Sequence, residues 1–294
     1  MRFRFVGTGD SAQIPCFGCD CPACAQARVL TSARRGPCSA EFWADGHRYL
    51  LDAGLMDLAE SCERERPAAI LLTHYHADHV QGLLHLRWGR GEPIPVFGPK
   101  DARGCADLYR NPGILDFRPG LKPFKPLHFH SMTVTPVPLV HSKPTLGYCL
   151  DDGGSKLAYL TDTLGLPQET ERFLRDWEPD VVVLDATYPS SCTAPRNHNS
   201  LPMALQIIER LGAPRAFLTH VSHELVAELL EAPSPLPSHV RLAHDAEEVR
   251  MGAEVARLAP GAWPGCCTGS VRSPQMPGSV GIKGIWGGVW LFFD

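Results

Sequence analysis

An α/β fold, with two sheets packed face to face and helices outside them, is what this sequence predicts, on three observations. Strand-type and helix-type segments alternate along the chain and fall into two strand-rich halves. Four apolar runs end at residues able to ligate a metal: 68–73 before His74, 137–140 before His141, 156–161 before Asp162 and 215–219 before His220. The chain has 294 residues, 44% of them apolar, which is enough for one large domain with a sizeable core.

Strands are expected near 2–6, 39–44, 47–52, 68–73, 94–97, 132–138, 146–150, 157–161, 181–185, 215–219 and 240–243. The first of these alternates Arg2-Phe3-Arg4-Phe5, as an edge-ward strand does. Helices are expected near 22–33, 55–64, 79–87, 101–109, 168–177, 201–211 and 223–231. Pro202 near the start of one and Gly212 just past its end fit the capping asymmetry of helices. Residues 1–250 therefore read as the folded domain. The Gly/Pro-rich tail 251–294, with Cys266-Cys267 and an aromatic terminus, lacks periodicity and is expected to be poorly ordered.

Net charge is −4, so nothing suggests a nucleic-acid surface or a basic membrane patch. No signal-peptide core is present, and no apolar run approaches the roughly 20 residues needed to span a bilayer. The expected setting is the cytoplasm.

His74-Tyr75-His76-Ala77-Asp78-His79 is the most informative stretch. Neutral imidazole and carboxylate are the ligands of zinc and similar divalent metals, and a strand end delivers them to the sheet edge where α/β proteins build sites. The spacing sends His74 and His76 to one ion, and Asp78 and His79 to a neighbour. The strand-end residues complete the set: His141 joins the first ion, His220 the second, and Asp162 bridges both. With Asp78, Asp162 and a bridging hydroxide in place, a pair of divalent ions keeps about one net positive charge, matched to a phosphodiester. Ions about 3.5–4 Å apart can hold both the attacking hydroxide and the phosphoryl oxygens.

There are eleven cysteines, an odd number, and three are bunched as Cys19-Asp20-Cys21-Pro22-Ala23-Cys24. In a reducing compartment such thiols more plausibly ligate zinc than pair with one another. His223, three residues beyond His220, is the candidate fourth ligand of this closed structural site. Cys16 lies outside the spacing, and Cys38, Cys62, Cys105, Cys149 and Cys192 read as ordinary thiols.

These residues resemble the metallo-β-lactamase superfamily motif by motif, and the resemblance implies its four-layer αββα sandwich. Leu50-Leu51-Asp52-Ala53-Gly54 looks like that family's strand-plus-Asp-Gly element, so Asp52, and secondarily Asp185, would orient a metal-bound histidine. Within the superfamily, the cysteine cluster, His141-Ser142-Lys143, Ala194-Pro195-Arg196-Asn197-His198 and Leu218-Thr219-His220-Val221-Ser222-His223 resemble the phosphodiesterases of bacterial carbon–phosphorus lyase pathways. The resemblance runs from the first strand to about Arg250. It implies hydrolysis of 5-phosphoribosyl 1,2-cyclic phosphate to ribose 1,5-bisphosphate, two Mn²⁺ ions at the active site, one structural Zn²⁺ and a homodimer. From the ligands alone, Mn, Zn, Fe and Ni all remain open.

An alkoxide leaving a sugar ring needs a proton, and His198 in the polar loop 188–200 is the candidate general acid beside the catalytic Asp162. Ser142, Lys143 and Arg196 are candidate phosphate contacts. The turn Thr8-Gly9-Asp10 could present backbone N–H groups to an anion. Tyr75 and Trp88 read as plain core before pocket, and the remaining histidines as structural. Two rivals stand beside this reading. A nuclease or lactonase on the same scaffold is one, although a nuclease would need a basic arm. A pyrroloquinoline quinone biosynthesis-like protein is the other, although such relatives tend to have an altered ligand set, and here all seven ligands are present.

Overall fold

The computed structural model describes residues 1–231 and 236–252. The tail therefore lies, beyond its first two residues, outside the described residues. In chain order the first half carries β1 (Arg2–Gly7), α1 (Pro22–Val29), β2 (Ser39–Ala44), β3 (His47–Leu51), α2 (Leu58–Arg64) and β4 (Ala69–Leu71). It continues with α3 (Ala77–Leu86), β5 (Ile94–Phe97), α4 (Ala106–Arg110) and β6 (Leu115–Phe117). The second half carries β7 (Leu127–Phe129), β8 (Met132–Pro138), β9 (Leu146–Asp151), β10 (Lys156–Leu160), α5 (Gln168–Trp177) and β11 (Val181–Asp185). It ends with α6 (Leu201–Leu211), β12 (Arg215–Thr219), α7 (His223–Glu231), β13 (Val240–Leu242) and β14 (Glu248–Arg250).

The strands form two seven-stranded sheets, β14-β1-β2-β3-β4-β5-β6 and β13-β12-β11-β10-β9-β8-β7. Each is antiparallel through one half and parallel through the other. Side chains alternate across a strand, and here the alternation separates two kinds of core. Phe3, Phe5, Phe42, Tyr49 and Leu51 of one sheet meet Val134, Tyr148, Leu150, Tyr159 and Phe217 of the other. The opposite faces take the helices. Leu50, Ile70 and Val96 pack with Leu58, Val80 and Leu83, while Val182, Leu184 and Leu218 pack with Leu174, Ile207, Ile208 and Leu225. The result is the expected αββα layering, in which each fully buried Phe or Leu contributes about 1.5–3 kcal/mol.

Local differences have local causes. β1 lies one place in from the sheet edge, because the three-residue β14, which sequence reading missed, pairs outside it. β6 and β7 were also missed; three residues carry too little periodicity to register. The helix expected over 22–33 ends at Val29, where Leu30 turns extended, and a short 3-10 turn Thr31–Ala33 follows. That over 101–109 begins only at Ala106, because Asp101 Oδ1 accepts the N–H groups of Arg103 and Gly104 and holds a turn there. The helix expected from 55 begins at Leu58. α6 has Pro at its first turn, and Gly212 closes it in the left-handed region at φ 67°. Among the described residues no helix is long and apolar enough to cross a membrane.

Candidate metal centre

β4 delivers the histidine loop to the sheet edge, and α3 takes it over. His76 caps the helix with extended backbone, so Asp78 and His79 fall in the first turn. Asp52, just past β3, binds this loop to its neighbour strand. Its carboxylate accepts Thr73 N–H at 2.7 Å and the Thr73 hydroxyl at 2.9 Å, and lies 2.9 Å from His79 Nδ1. Close approach here requires Gly54, since a Cβ at that position would sit 1.6 Å from the Asp78 carbonyl oxygen.

The outlying residues converge on the loop as the strand ends suggested. His74 Nε2 and His141 Nε2 lie 2.8 and 3.0 Å from His76 Nδ1, three ring nitrogens turned toward one point. Asp78, His79 and His220 form a second cluster. Asp162 stands between the two. Its Oδ1 is 3.8 Å from His74 Nε2, 3.8 Å from His141 Nε2 and 3.3 Å from His220 Nε2, and its Oδ2 is 3.3 Å from His79 Nε2. Asp52, Asp162 and His220 all adopt left-handed backbone, at φ 66°, 60° and 56°. Each such non-glycine conformation costs about 1–3 kcal/mol and persists where the surroundings over-determine it.

The fit to divalent ions rests on two observations. His79 Nε2 and His220 Nε2 are buried without a hydrogen-bond partner, a costly arrangement that a cation would relieve. The second nitrogen of each inner histidine is meanwhile engaged, as metal-bound imidazoles require. His74 Nδ1 meets the Thr73 hydroxyl at 3.1 Å, His79 Nδ1 meets Asp52, His141 Nδ1 donates to the Asn197 carbonyl at 3.1 Å, and His220 Nδ1 meets the Thr187 hydroxyl at 2.9 Å.

Electrostatics divide the cluster. Burial, reinforced by neighbouring imidazoles, pushes His74, His76 and His141 below the ordinary histidine pKa. Burial also opposes charge on His79 and His220, but Asp162 leads the carboxylates that overrule it, so both stand well above that value. Against the same burial, the imidazoles hold Asp78 and Asp162 below the usual carboxylate range.

His198 reaches the same place from the loop after β11. Its Nδ1 donates to Asp185 Oδ2 at 2.7 Å, and its ring stacks on His220 at 4.6 Å between centroids. Asn199 pins the loop: its carbonyl accepts Thr187 and Tyr188 N–H, and its amide oxygen accepts Gly165 N–H at 2.8 Å. Asp185 thus holds His198, the Thr163 N–H and the Thr187 hydroxyl, and orients no histidine of the two ligand clusters. The residue that orients His220 is Thr187, which sequence reading missed and which carries no signal beyond following a strand-end aspartate.

The softer candidates scatter. Ser142 Oγ lies 3.4 Å from His76 Nε2, at the site. Lys143 Nζ lies 3.6 Å from Asp101, and Arg196 is exposed on the His198 loop. Thr8-Gly9-Asp10 offers no anion nest of the kind expected: Gly9 N–H donates to Gly36 and Asp10 N–H to Val221. Tyr75 is core, packed on Tyr109, and Trp88 is exposed under Arg87.

Cys19, Cys21, Cys24 and His223 form a separate group whose ligand atoms all lie within 4.8 Å of one another. His223 Nδ1 is 3.5 Å from Cys19 Sγ and 3.6 Å from Cys21 Sγ, and its Nε2 is 3.1 Å from Glu224. Burial pushes the Cys24 thiol up to about 12, while the Cys21 N–H lowers that of Cys19. Three sulfurs and one nitrogen are a donor set that fits tetrahedral zinc. Cys16 contributes its N–H, not its sulfur, to Cys24.

Two face-to-face sheets, and a histidine–aspartate cluster on their shared rim, define a metallo-β-lactamase-fold hydrolase. Residues 47–221 match the model of the beta-lactamase superfamily domain, and the chain belongs to that family. A diphosphatase from the PhnP family has a similar structure, with a TM-score of 0.72 and 27% identity over 85% of this chain and 97% of that one. A ribonuclease Z from Acaryochloris marina is 25% identical over 83% of this chain and 96% of its own length. An octanoyltransferase from Porphyromonas gingivalis is 28% identical over 88% of this chain, which spans only 53% of that protein. Zinc-bound PqqB from Methylobacterium extorquens shares the fold, with a TM-score of 0.69 at 17% identity.

Proposed function

We propose that this protein is a metal-dependent cyclic phosphodiesterase that converts 5-phosphoribosyl 1,2-cyclic phosphate to ribose 1,5-bisphosphate. The observation that carries the reading is the Asp185–His198 pair, set at 2.7 Å beside a full seven-residue ligand cluster. His74, His76 and His141 would hold one ion, Asp78, His79 and His220 the other, with Asp162 shared. Such ions, Mn²⁺ on the resemblance, supply a hydroxide nucleophile near neutral pH and neutralise phosphoryl charge.

This chain's own residues do the rest. Asp185 accepts a hydrogen bond from His198 Nδ1–H and so fixes which ring nitrogen faces the site. Nε2 is then free to carry the proton that the departing sugar oxygen takes up. Ser142, beside His76, would be the phosphate contact at the cluster, with Lys143, held by Asp101, and the exposed Arg196 as further candidates. Similarity to a diphosphatase of the PhnP family supports hydrolysis at a phosphoryl centre. The cysteine cluster would carry a structural Zn²⁺.

His198→Ala tests the reading. Turnover of the cyclic phosphate should fall about 10²–10⁴-fold with metal content unchanged. Bis(p-nitrophenyl) phosphate, whose leaving group needs little protonation, should lose much less. Equal losses on both esters, or loss of the ions, would contradict the assignment. Precursor tRNA and a lactone in the same panel address the nuclease and lactonase alternatives.

A further inference from the structure

Beside His198 opens a cavity of about 390 Å³ that the proposed mechanism does not use. Asp10, Ser11, Tyr188, His198, His220 and Glu224 are among the residues that line it. Two carboxylates face it, and among the described residues no Lys or Arg does. Glu224 is already occupied, with Oε1 3.1 Å from His223 Nε2. Asp10 is different. Its Oδ1 accepts the N–H groups of Ala12 and Gln13 at 3.0 and 3.2 Å, a turn that fixes the carboxylate, and its Oδ2 carries neither bond. His220, which also belongs to the ligand cluster, lines the cavity and so marks where it meets the proposed reacting centre.

We propose that this cavity receives the leaving alcohol and that Asp10 Oδ2 accepts a hydrogen bond from the ring hydroxyl next to the leaving oxygen. The inference rests on the phosphodiesterase reading, in which His198 protonates that oxygen and the alcohol must therefore lie on its side. The chemistry follows from charge. A hydroxyl brings a donor to a fixed carboxylate, whereas a phosphate brings only acceptors and negative charge to two acids. A free phosphate on the same sugar is turned away from the cavity, toward the side where Ser142 meets His76. Asp10 is thus a specificity residue that binds substrate and takes no part in proton transfer.

The test compares wild type with Asp10→Asn, which keeps an oxygen for the Ala12–Gln13 turn but replaces the second acceptor with a donor. Three probes are used: 5-phosphoribosyl 1,2-cyclic phosphate, its 3-deoxy analogue and bis(p-nitrophenyl) phosphate. The wild type should prefer the hydroxylated substrate by about 10- to 100-fold in kcat/KM, the value of a hydrogen bond to a charged acceptor. In Asp10→Asn that preference should shrink to about threefold or less, with the p-nitrophenyl diester hydrolysed as before. A preference that survives in the variant, or is absent from the wild type, overturns the proposal, as does an equal loss on all three probes. A metal-loaded wild type inactive on every phosphodiester overturns the underlying reading itself, before any variant is made.

Discussion

The two candidate metal clusters are assembled in opposite ways. The seven-residue cluster gathers side chains from four loops at the ends of strands in both sheets, and His74, His79, Asp162 and His220 are almost wholly buried. The cysteine cluster takes three of its four donors from one short stretch, and Cys19, Cys21 and His223 are only half-buried. In the first, hydrogen bonds with the Thr73 and Thr187 hydroxyls, the Asp52 carboxylate and the Asn197 carbonyl already aim the rings. The fold makes that site. In the second, Cys19 and Cys21 lie between β1 and α1, outside the named strands and helices, while Cys24 and His223 sit in the first turns of α1 and α7. An ion bound there would add its binding free energy to the ordering of that loop. The two regions meet in the three-residue step from His220 to His223, which Val221 stitches to Thr8 and Asp10.

The largest expected effect lies in the first region. Asp162→Ala removes the carboxylate that reaches both halves of the cluster, and kcat/KM for phosphodiesters should fall about a thousandfold or more. Assays with and without added metal check this, and full activity on metal addition would mean that Asp162 bridges nothing. Asp52→Asn should weaken metal binding about 10- to 100-fold without unfolding the chain, because the retained amide oxygen still accepts the Thr73 N–H while the amide nitrogen in place of Oδ2 can no longer accept from His79 Nδ1. Metal titration followed by circular dichroism separates that from general destabilisation.

Cys24→Ala sharpens the contrast. It should lower Tm by about 5–10 °C, at roughly 2–4 °C per kcal/mol for a domain of this size, and leave the other cluster's ions in place. Departure of those ions together with the zinc would show that the two regions are one cooperative unit.

The smallest effect separates the halves of the first cluster by pH. In the metal-free protein His79 and His220 have raised pKa values. Their charged forms therefore stabilise it fully below the ordinary value of 6.5, and that contribution is lost as pH rises through the raised values. An ion must displace those protons, whereas His74, His76 and His141 are already inclined to be neutral. Lowering pH from 8 to 6 should thus weaken the ion at Asp78, His79 and His220 more, by up to about tenfold per pH unit for each proton displaced. Equal weakening of both ions would remove the distinction.

Much of this was legible in the sequence because the site is written at strand ends. An apolar β-type run followed by His or Asp announces both the strand and what it presents, which is why His141, Asp162 and His220 could be matched to the distant hexad. The four layers followed from the alternation of strand-type and helix-type segments together with the resemblance to the metallo-β-lactamase superfamily. What escaped notice was what only tertiary contact defines. Three-residue strands such as β14 exist because a longer partner holds them. Thr187 is an ordinary polar residue until β12 brings His220 against it. Asp185 was matched to the wrong kind of histidine, since chain position cannot say whether a strand-end carboxylate faces a ligand or the loop folded over it. Asp10 appeared as part of a backbone turn, and only the cavity gives its side chain a task.

The central claim is that one rim carries two ions and a separate loop a third. Elemental analysis of the purified protein, run beside phosphodiester hydrolysis with and without chelator, addresses it most directly. Three metal ions per chain, falling to two in Cys24→Ala, with hydrolysis abolished by chelator and restored by Mn²⁺, is the predicted result. A single ion outside the cysteine cluster, or hydrolysis indifferent to chelator, would contradict the account.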